Sequence, residues 1–336
     1  MNFYIESKKT APCYNLALEQ YVFDSLNRTA GSSVCNYFML WQNYNSVIVG
    51  KNQNTSTEIN ISFVNAHNIN VARRLSGGGA VYHDLGNINF TFITDSGADK
   101  TIDFAVLCKP IQNALLSFGV PVEISGRNDM TIHGKKISGN ACYIKQGRVM
   151  YHGTLLYDSD LDMLSKALNV SNEKIESKAI KSVKSRVTNI RPFMKNDLSV
   201  KDFFLALKEY MFSELNLKEY CLSPEDEEKI KKISEQVYSQ WNWNYGASPP
   251  YNVRKSCRIE NCGTIEVLID VGKEGVIKNI TFYGDFFSNK DLSELTGLII
   301  GQKLNYNTLS ELLKETDISQ YFINLDRERF LSLLVE

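Results

Sequence analysis

The sequence predicts an α+β fold: a large mixed-sheet domain followed by a small α+β domain. Three observations carry that prediction. The 336 residues are too many for one ordinary core and suit a large domain with a smaller companion. Stretches with helical apolar spacing are interspersed with β-rich stretches along most of the chain. Near the end, "WNWNYGASPPYN" breaks off in Gly, Ala, Ser and Pro, as a linker does. This places the domains at residues 1–246 and 250–336.

The elements follow in order. "YNLALEQYVFDSL" has helical apolar spacing, while "SSVCNYFMLW" and "SVIVG" are β-rich. "INISFVNAHN" predicts a short helix and "INVARRLS" a return to strand. "NINFTFIT" alternates Asn87, Asn89 and Thr91 with Ile88, Phe90 and Phe92, the period of a half-buried strand. "TIDFAVLCKPIQNALLSFG" predicts a helix that Pro110 kinks or splits and Gly119 stops. A β-rich run follows to Asp158, then a short helix at "DLDMLSKALN". Ser199 with Asp202, and Ser223 with Pro224 and Asp226, open two capped helices. The last domain predicts a hairpin turning at "VGKEG", then helices at "DLSELTGLIIG" and "TLSELLKE".

Composition limits the function. The hydrophobic share of 43% and charged share of 22% are those of a soluble globular protein. A net charge of -1 gives no general reason to bind nucleic acid or an anionic membrane, so any positive site is local. The N-terminus lacks a secretory pattern and no run of about 18 apolar residues occurs, which predicts a cytoplasmic protein. The seven cysteines are scattered, and the nearest pair, "CRIENC", has neither partner pair nor histidine nearby for zinc.

Three motifs suggest a ligand. In "RRLSGGGAVYHDLGN" the glycines Gly77, Gly78 and Gly79 clear side chains from a turn joining two strands, so a ligand can lie on backbone N–H groups. Strand alternation sends Arg73 and Arg74 to opposite faces, one toward the ligand and the other available as a surface charge. His83 and Asp84 also fit a polar pair at a strand bend. In "GRNDMTIHGKKISGNACY", Asn128 and Asp129 offer oxygens suited to Mg2+ and Lys135 and Lys136 a point charge. "SKAIKSVKSRVTNIRPFMK" carries six basic residues and no acid, the composition of a loop able to close over an anion.

These motifs, with "HGTLL" and the "WNWNYG" boundary, occur in an order that resembles the lipoate-protein ligases over almost the whole chain. The resemblance implies the biotin/lipoate ligase fold, ATP and Mg2+ as cofactors, and lipoate as the substrate activated to lipoyl-AMP. It places Lys136 between the lipoate carboxylate and the α-phosphate as the catalytic lysine. Arg74, Ser76, Gly77, Gly78, Gly79, Ser138, Gly139, His152 and Gly153 belong by resemblance to the acyl-adenylate surface. Val81, Tyr82, His83, Asp84, Asn87, Lys181, Ser182, Val183 and Arg186 belong to the nucleotide, largely through backbone contacts near the adenine. Asn128 and Asp129 correspond to the metal and phosphate region, and the 178–189 loop orders over AMP. The implied partners are lipoyl domains of 2-oxoacid dehydrogenase E2 subunits and glycine cleavage H protein, met by a monomer with no nucleic acid or membrane involved. Tyr143 stands near the position where close relatives carry an arginine, which leaves the choice between lipoate and octanoate open. The competing readings are a cysteine-dependent acyltransferase of the same fold using Cys142, a noncatalytic lipoyl-domain or nucleotide binder, and biotin ligation.

Overall fold

The computed structural model describes residues 1–336 apart from 28, 31–32, 96–103, 126–128, 170–185, 247–250, 273–274 and 336. Among the described residues thirteen strands precede the last domain: β1 (Asn2–Glu6), β2 (Thr29–Ala30), β3 (Ser33–Val34), β4 (Asn36–Trp41), β5 (Ser46–Val49), β6 (Asn70–Arg73), β7 (Val81–His83), β8 (Asn87–Asp95), β9 (Glu123–Ser125), β10 (Asp129–Ile132), β11 (Lys135–Lys145), β12 (Arg148–Leu156) and β13 (Lys218–Glu219). Eight of them form one sheet in the order β13-β1-β4-β8-β12-β11-β10-β9, and β6-β5-β7 form a smaller sheet. The large sheet is mixed: β1 pairs in parallel with β13 and β4, and the pairs from β4 across to β9 are antiparallel.

Each face of the large sheet buries its own core. Phe38, Ile88 and Phe90 pack under α4 (Phe104–Ser117) and α6 (Val200–Leu215), the sixth helix among the described residues. Tyr37, Met39 and Met150 face the other way, onto α1 (Pro12–Ser25) and α7 (Pro224–Ile233). The small sheet has a third core, with α3 (Ile61–Ala66) and α5 (Leu161–Ala167) against it. The helix at α4 runs through Pro110 without splitting. Ser199 and Ser223 cap their helices as the sequence predicts, the latter in a reciprocal box with Asp226.

One expectation changes. The alternation along β8 suggested a solvent-facing polar side, yet Asn87, Asn89 and Thr91 are all buried to within 1%. Helix α1 and the small sheet cover that face: Thr91 bonds Glu19 of α1, and Asn89 lies on the floor of an interior cleft.

The last domain has an antiparallel sheet of β14 (Val253–Ile259), β15 (Gly263–Val271) and β16 (Ile277–Gly284). Helices α9 (Leu292–Ile299), α10 (Tyr306–Leu312) and α11 (Arg327–Val335) pack on it around Phe282, Phe322 and Phe330. The sequence foresaw the β15–β16 hairpin and two helices; β14 and α11 are additions. This domain touches the first one through Gly284 N donating to Asn52 O at 2.6 Å and Lys51 paired with Asp291 at 3.0 Å. Among the described residues no helix is long and apolar enough to cross a membrane.

Candidate active site

A cleft of about 100 Å3 lies between the two sheets of the first domain. Its floor crosses four strands: Gly139 on β11, Thr154 and His152 on β12, Asn89 on β8 and Trp41 on β4. Three inter-strand spacings separate its ends, about 14 Å, which accommodates an extended eight-carbon acid with room at one end. Lys136 stands at the β11 end and the Trp41 indole at the other.

A β-bulge aims Lys136. Met130 pairs with Ser138 but Thr131 pairs with Lys136, so Ile137 is an extra residue in β11. Regular alternation would put Lys136 and Gly139 on opposite faces; the bulge brings both into the cleft. The ammonium is 2.8 Å from Asp129 Oδ1, and the arm lies so close over Gly139 that a Cβ there would be 2.9 Å from Nζ. Beyond it Val187 bridges to Lys136, and Thr188 N donates to the Lys136 carbonyl at 3.0 Å.

The three glycines do different jobs. Gly78 takes a φ of +91°, where a side chain is strained, and its carbonyl occupies the space a methyl on Gly50 would need. A methyl on Gly77 would collide with the Phe286 carbonyl of the last domain. At Gly79 a Cβ would meet nothing within 4 Å, so this residue borders open cleft. Arg74 runs beneath the loop, donating to the carbonyls of Gly77 (2.7 Å) and Gly79 (2.9 Å) and to Ser76 Oγ (3.0 Å). Burial lowers its pKa to about 10, with Glu19 opposing the shift.

The polar groups beside Trp41 are linked through Glu19. Ser76 Oγ is 2.6 Å from His152 Nε2, and His152 Nδ1 is 2.9 Å from Glu19 Oε1. The same carboxylate oxygen accepts from Thr91 Oγ1 at 2.5 Å, and Thr91 accepts from Trp41 Nε1 at 2.9 Å. His83 lines this end too, with its Nδ1 3.1 Å from Asn43 Nδ2. Burial first, then the charges of Arg74 and His152, push its pKa down to about 3, so the ring is neutral.

The chain is matched over residues 11–212 by the model of the lipoyl protein ligase A/B catalytic domain, and over 248–334 by that of the bacterial lipoate protein ligase C-terminus. It is 41% identical to lipoate–protein ligase 1 of Staphylococcus aureus, over 99% of this chain and 100% of that one. The chain belongs to the lipoate-protein ligase family. Three solved structures share its architecture. P. falciparum LipL1 in complex with lipoate superposes with a TM-score of 0.80 at 24% identity, covering 99% of this chain and 97% of that one. The bipartite ligase of Thermoplasma acidophilum, studied with its E2 lipoyl domain, gives 0.61 at 27% over 75% and 98%. A lipoate-protein ligase A bound with ATP gives 0.58 at 25% over 73% and 98%.

For a ligase of this family the remaining expected residues fall as follows. Gly153 lines the cleft, where a side chain would strike Asn140 and Phe90. Val81 also lines it, while the Tyr82 ring packs in the small-sheet core and its hydroxyl donates to Asn45. His83 and Asp84 do not pair: Asp84 instead accepts from Gly86 N and Asp160 N. Asn87 donates to Asn89 Oδ1 at 2.9 Å. Ser138 is fully buried beside Asn140, 3.4 Å away, and is not among the cleft's lining residues. Arg186 is half-buried next to Val187; Asn128, Lys181, Ser182 and Val183, with most of the 178–189 loop, lie outside the described residues.

Arg73 is no surface charge. It is 7% exposed, and its guanidinium donates to the carbonyls of Gly50, Lys51, Gln53, Trp243 and Asn244 and to Thr55 Oγ1. It pins the Gly50–Thr55 turn to the approach to the linker. Tyr143 rests on Phe23 with ring centroids 5.1 Å apart in the α1 core and does not line the cleft. Cys142 belongs to the opposite core, 6% exposed, and burial raises its pKa to about 12. That environment removes the thiolate an acyltransferase needs. Sequence reasoning missed Glu19, Trp41, Asn43 and Asn89 as site residues. A carboxylate inside the apolar "LALEQYVF" was the one available signal for Glu19.

Proposed function

We infer that the chain is an ATP-dependent lipoate-protein ligase working in the cytoplasm as a monomer, with residues 1–246 catalysing and 250–336 as an accessory domain. The observation that carries this reading is the Lys136 ammonium at the open end of a cleft of acyl length with a polar floor. In the first step the lipoate carboxylate oxygen attacks the α-phosphorus of ATP, the bond to the β-phosphate oxygen breaks, and pyrophosphate leaves. Lys136 sits between carboxylate and phosphate and stabilises the negative charge that builds between them. Asp129 holds the ammonium in place until substrates arrive. In the second step the amine of a carrier lysine attacks the acyl carbonyl, an amide forms, and AMP departs with the electron pair of the broken C–O bond.

The backbone around Gly78 and Gly79 supports the acyl-adenylate, with Arg74 and Ser76 fixing the loop from below. By resemblance to the family, Val81, Tyr82, Asp84, Asn87, Lys181, Ser182, Val183 and Arg186 serve the nucleotide. Among the described residues no group of three or more His, Cys, Asp or Glu side chains gathers to hold a metal alone. A single carboxylate, Asp129, fits Mg2+ that takes most of its ligands from phosphates and water, with Asn128 beside it in sequence. Bound there, Mg2+ neutralises phosphate charge as a Lewis acid. Carriers are lipoyl domains, of 2-oxoacid dehydrogenase E2 subunits or of glycine cleavage H protein.

The test mixes the chain with ATP, Mg2+, lipoate and an unmodified lipoyl domain. Pyrophosphate release that needs both small substrates, with a lipoyl mass added to the domain, is expected. Cys142→Ser retains the activity within about tenfold because no acyl-thioester forms. An acyl-enzyme at Cys142, or transfer without ATP, would replace this reading with the transferase.

A further inference from the structure

The last residue of the basic loop, Asn189, is uncharged and half-buried, and one distant residue engages its side chain. Asn189 Oδ1 accepts from Ser159 N at 3.1 Å, and Asn189 Nδ2 donates to Ser159 O at 2.9 Å. A backbone N–H only donates and a carbonyl only accepts, so the orientation of the amide is fixed. The pair is like one rung of a sheet, made by a side chain across 30 residues of sequence. Ser159 is 5% exposed, so its two backbone groups depend on this amide in place of water.

Each side of the rung carries a different part of the site. Just before Asn189, Val187 bridges to Lys136 and Thr188 N donates to the Lys136 carbonyl at 3.0 Å. Just after Ser159, Asp160 N donates to Asp84 Oδ2 at 2.7 Å, and Asp84 Oδ1 accepts from Gly86 N at 2.9 Å. Tyr157 N and Asp158 N both donate to the Gly86 carbonyl, and a Cβ on Gly86 would be 2.0 Å from Asp158 O. Residues 157–160 and 84–86 are therefore packed as one body. The next backbone bonds of the segment, Ile190 N to Leu156 O and Arg191 N to Tyr157 O, stop at the start of that turn. The Asn189 amide reaches past them, to the neighbour of Asp160.

Resting on the ligase reading, we propose that Asn189 is a positioning residue for adenylation. Its amide fixes the Asp84–Gly86 segment, which serves the nucleotide, against the strand that carries Lys136. The placing of the α-phosphate against the ammonium then depends on two hydrogen bonds that touch neither group. In-line attack tolerates little misplacement, so a loosened turn costs rate as well as nucleotide affinity. Neither Asn189 nor Ser159 lines the cleft, so lipoate is indifferent to the rung.

The experiment measures pyrophosphate release on the full chain, with ATP and lipoate varied separately. Asn189→Ala is expected to raise KM for ATP at least about fivefold and to lower kcat about tenfold, with KM for lipoate within about twofold of wild type. A merely structural residue would reduce the amount of active enzyme and move neither KM. Asn189→Asp is nearly isosteric, keeps the acceptor and loses the donor; it should shift KM for ATP in the same direction, and it decides the matter if Asn189→Ala does not fold. Arg191→Gln removes exposed ion pairs to Asp158 and Asp197 from the same segment and should leave both constants within about twofold. Thermal protection is read alongside: ATP with Mg2+ should protect the Asn189 variants less than wild type, and lipoate should protect all of them alike. An unmoved KM for ATP in the folded Asn189 variants, equal rises for ATP and lipoate, or the same rise in Arg191→Gln overturns the proposal. A wild type that releases no pyrophosphate overturns the ligase reading instead, and protection by ATP then still decides whether Asn189 positions a nucleotide. A wild type that ATP does not protect overturns both.

Discussion

The Lys136 side chain is about one-third exposed and has one acidic partner, Asp129, so the fold does not depend on it. Lys136→Ala should melt within about 1 kcal/mol of the parent, the usual worth of an exposed pair. Adenylate formation should fall at least about a hundredfold, because the lost donor acts where charge develops in the transition state. Near-normal pyrophosphate release would remove Lys136 from the chemistry. His83 makes a separate, pH-dependent prediction. The unfolded chain binds a proton at this histidine below about pH 6.5, whereas the folded chain resists until about pH 3. Between those limits the unfolded state holds more protons, so this group's contribution is complete above pH 6.5 and is lost as pH falls. At pH 5 the loss is about 2 kcal/mol for the shift in question. His83→Gln cannot take up the proton and should flatten the acid limb of a stability–pH curve measured by urea melts. An acid limb identical to the parent's would mean that the imidazole is not held neutral.

At the scale of elements, the β11 bulge matters most, because it converts a strand into a platform with Lys136 and Gly139 on one face. Gly139→Ala tests this directly. A Cβ would sit 2.9 Å from both Cε and Nζ of Lys136, so the arm must move while the backbone stays. The expected result is a loss of about tenfold in kcat for adenylation with a smaller change in KM, since positioning errors act mainly on the reacting geometry. Unchanged kcat would show that the lysine reaches its place by another route. The bulge was invisible in "KKISGNACY", because an extra residue in a β-rich run leaves the composition unchanged. Other elements were legible for physical reasons: Ser199 and Ser223 announce their helices through caps, and the three glycines announce a loop with no room for side chains. The polar stripe of β8 was read correctly as a stripe but wrongly as a wet surface, since periodicity reports which residues share a face and is silent on what covers it. Arg73 was misread for the same reason. Its six acceptors come from segments 18 to 171 residues away in sequence, which no local pattern encodes.

At the scale of the whole molecule, the glycine loop is also where the two domains meet. Phe286 and Phe287 lie against Gly77, and Phe287 Cε1 would be 3.2 Å from a Cβ on Gly78. The nearby Lys51–Asp291 pair is partly exposed, and Ser293 N together with Lys51 lowers the Asp291 pKa to about 2. Such a pair is worth about 0–1 kcal/mol, whereas the steric fit at Gly77 admits no side chain. Shape, not charge, therefore holds this seat. Gly77→Val should separate the domains, raising the radius of gyration in small-angle scattering and speeding proteolysis between residues 246 and 252. Asp291→Asn should leave both measurements unchanged. The loop carries acyl-adenylate chemistry on one side and the last domain on the other, so Gly77→Val should also reduce adenylation, even though the residue faces away from the open cleft at Gly79. A compact Gly77→Val molecule with normal scattering would show that the Phe286 backbone yields to a side chain and that the seat is softer than its geometry implies.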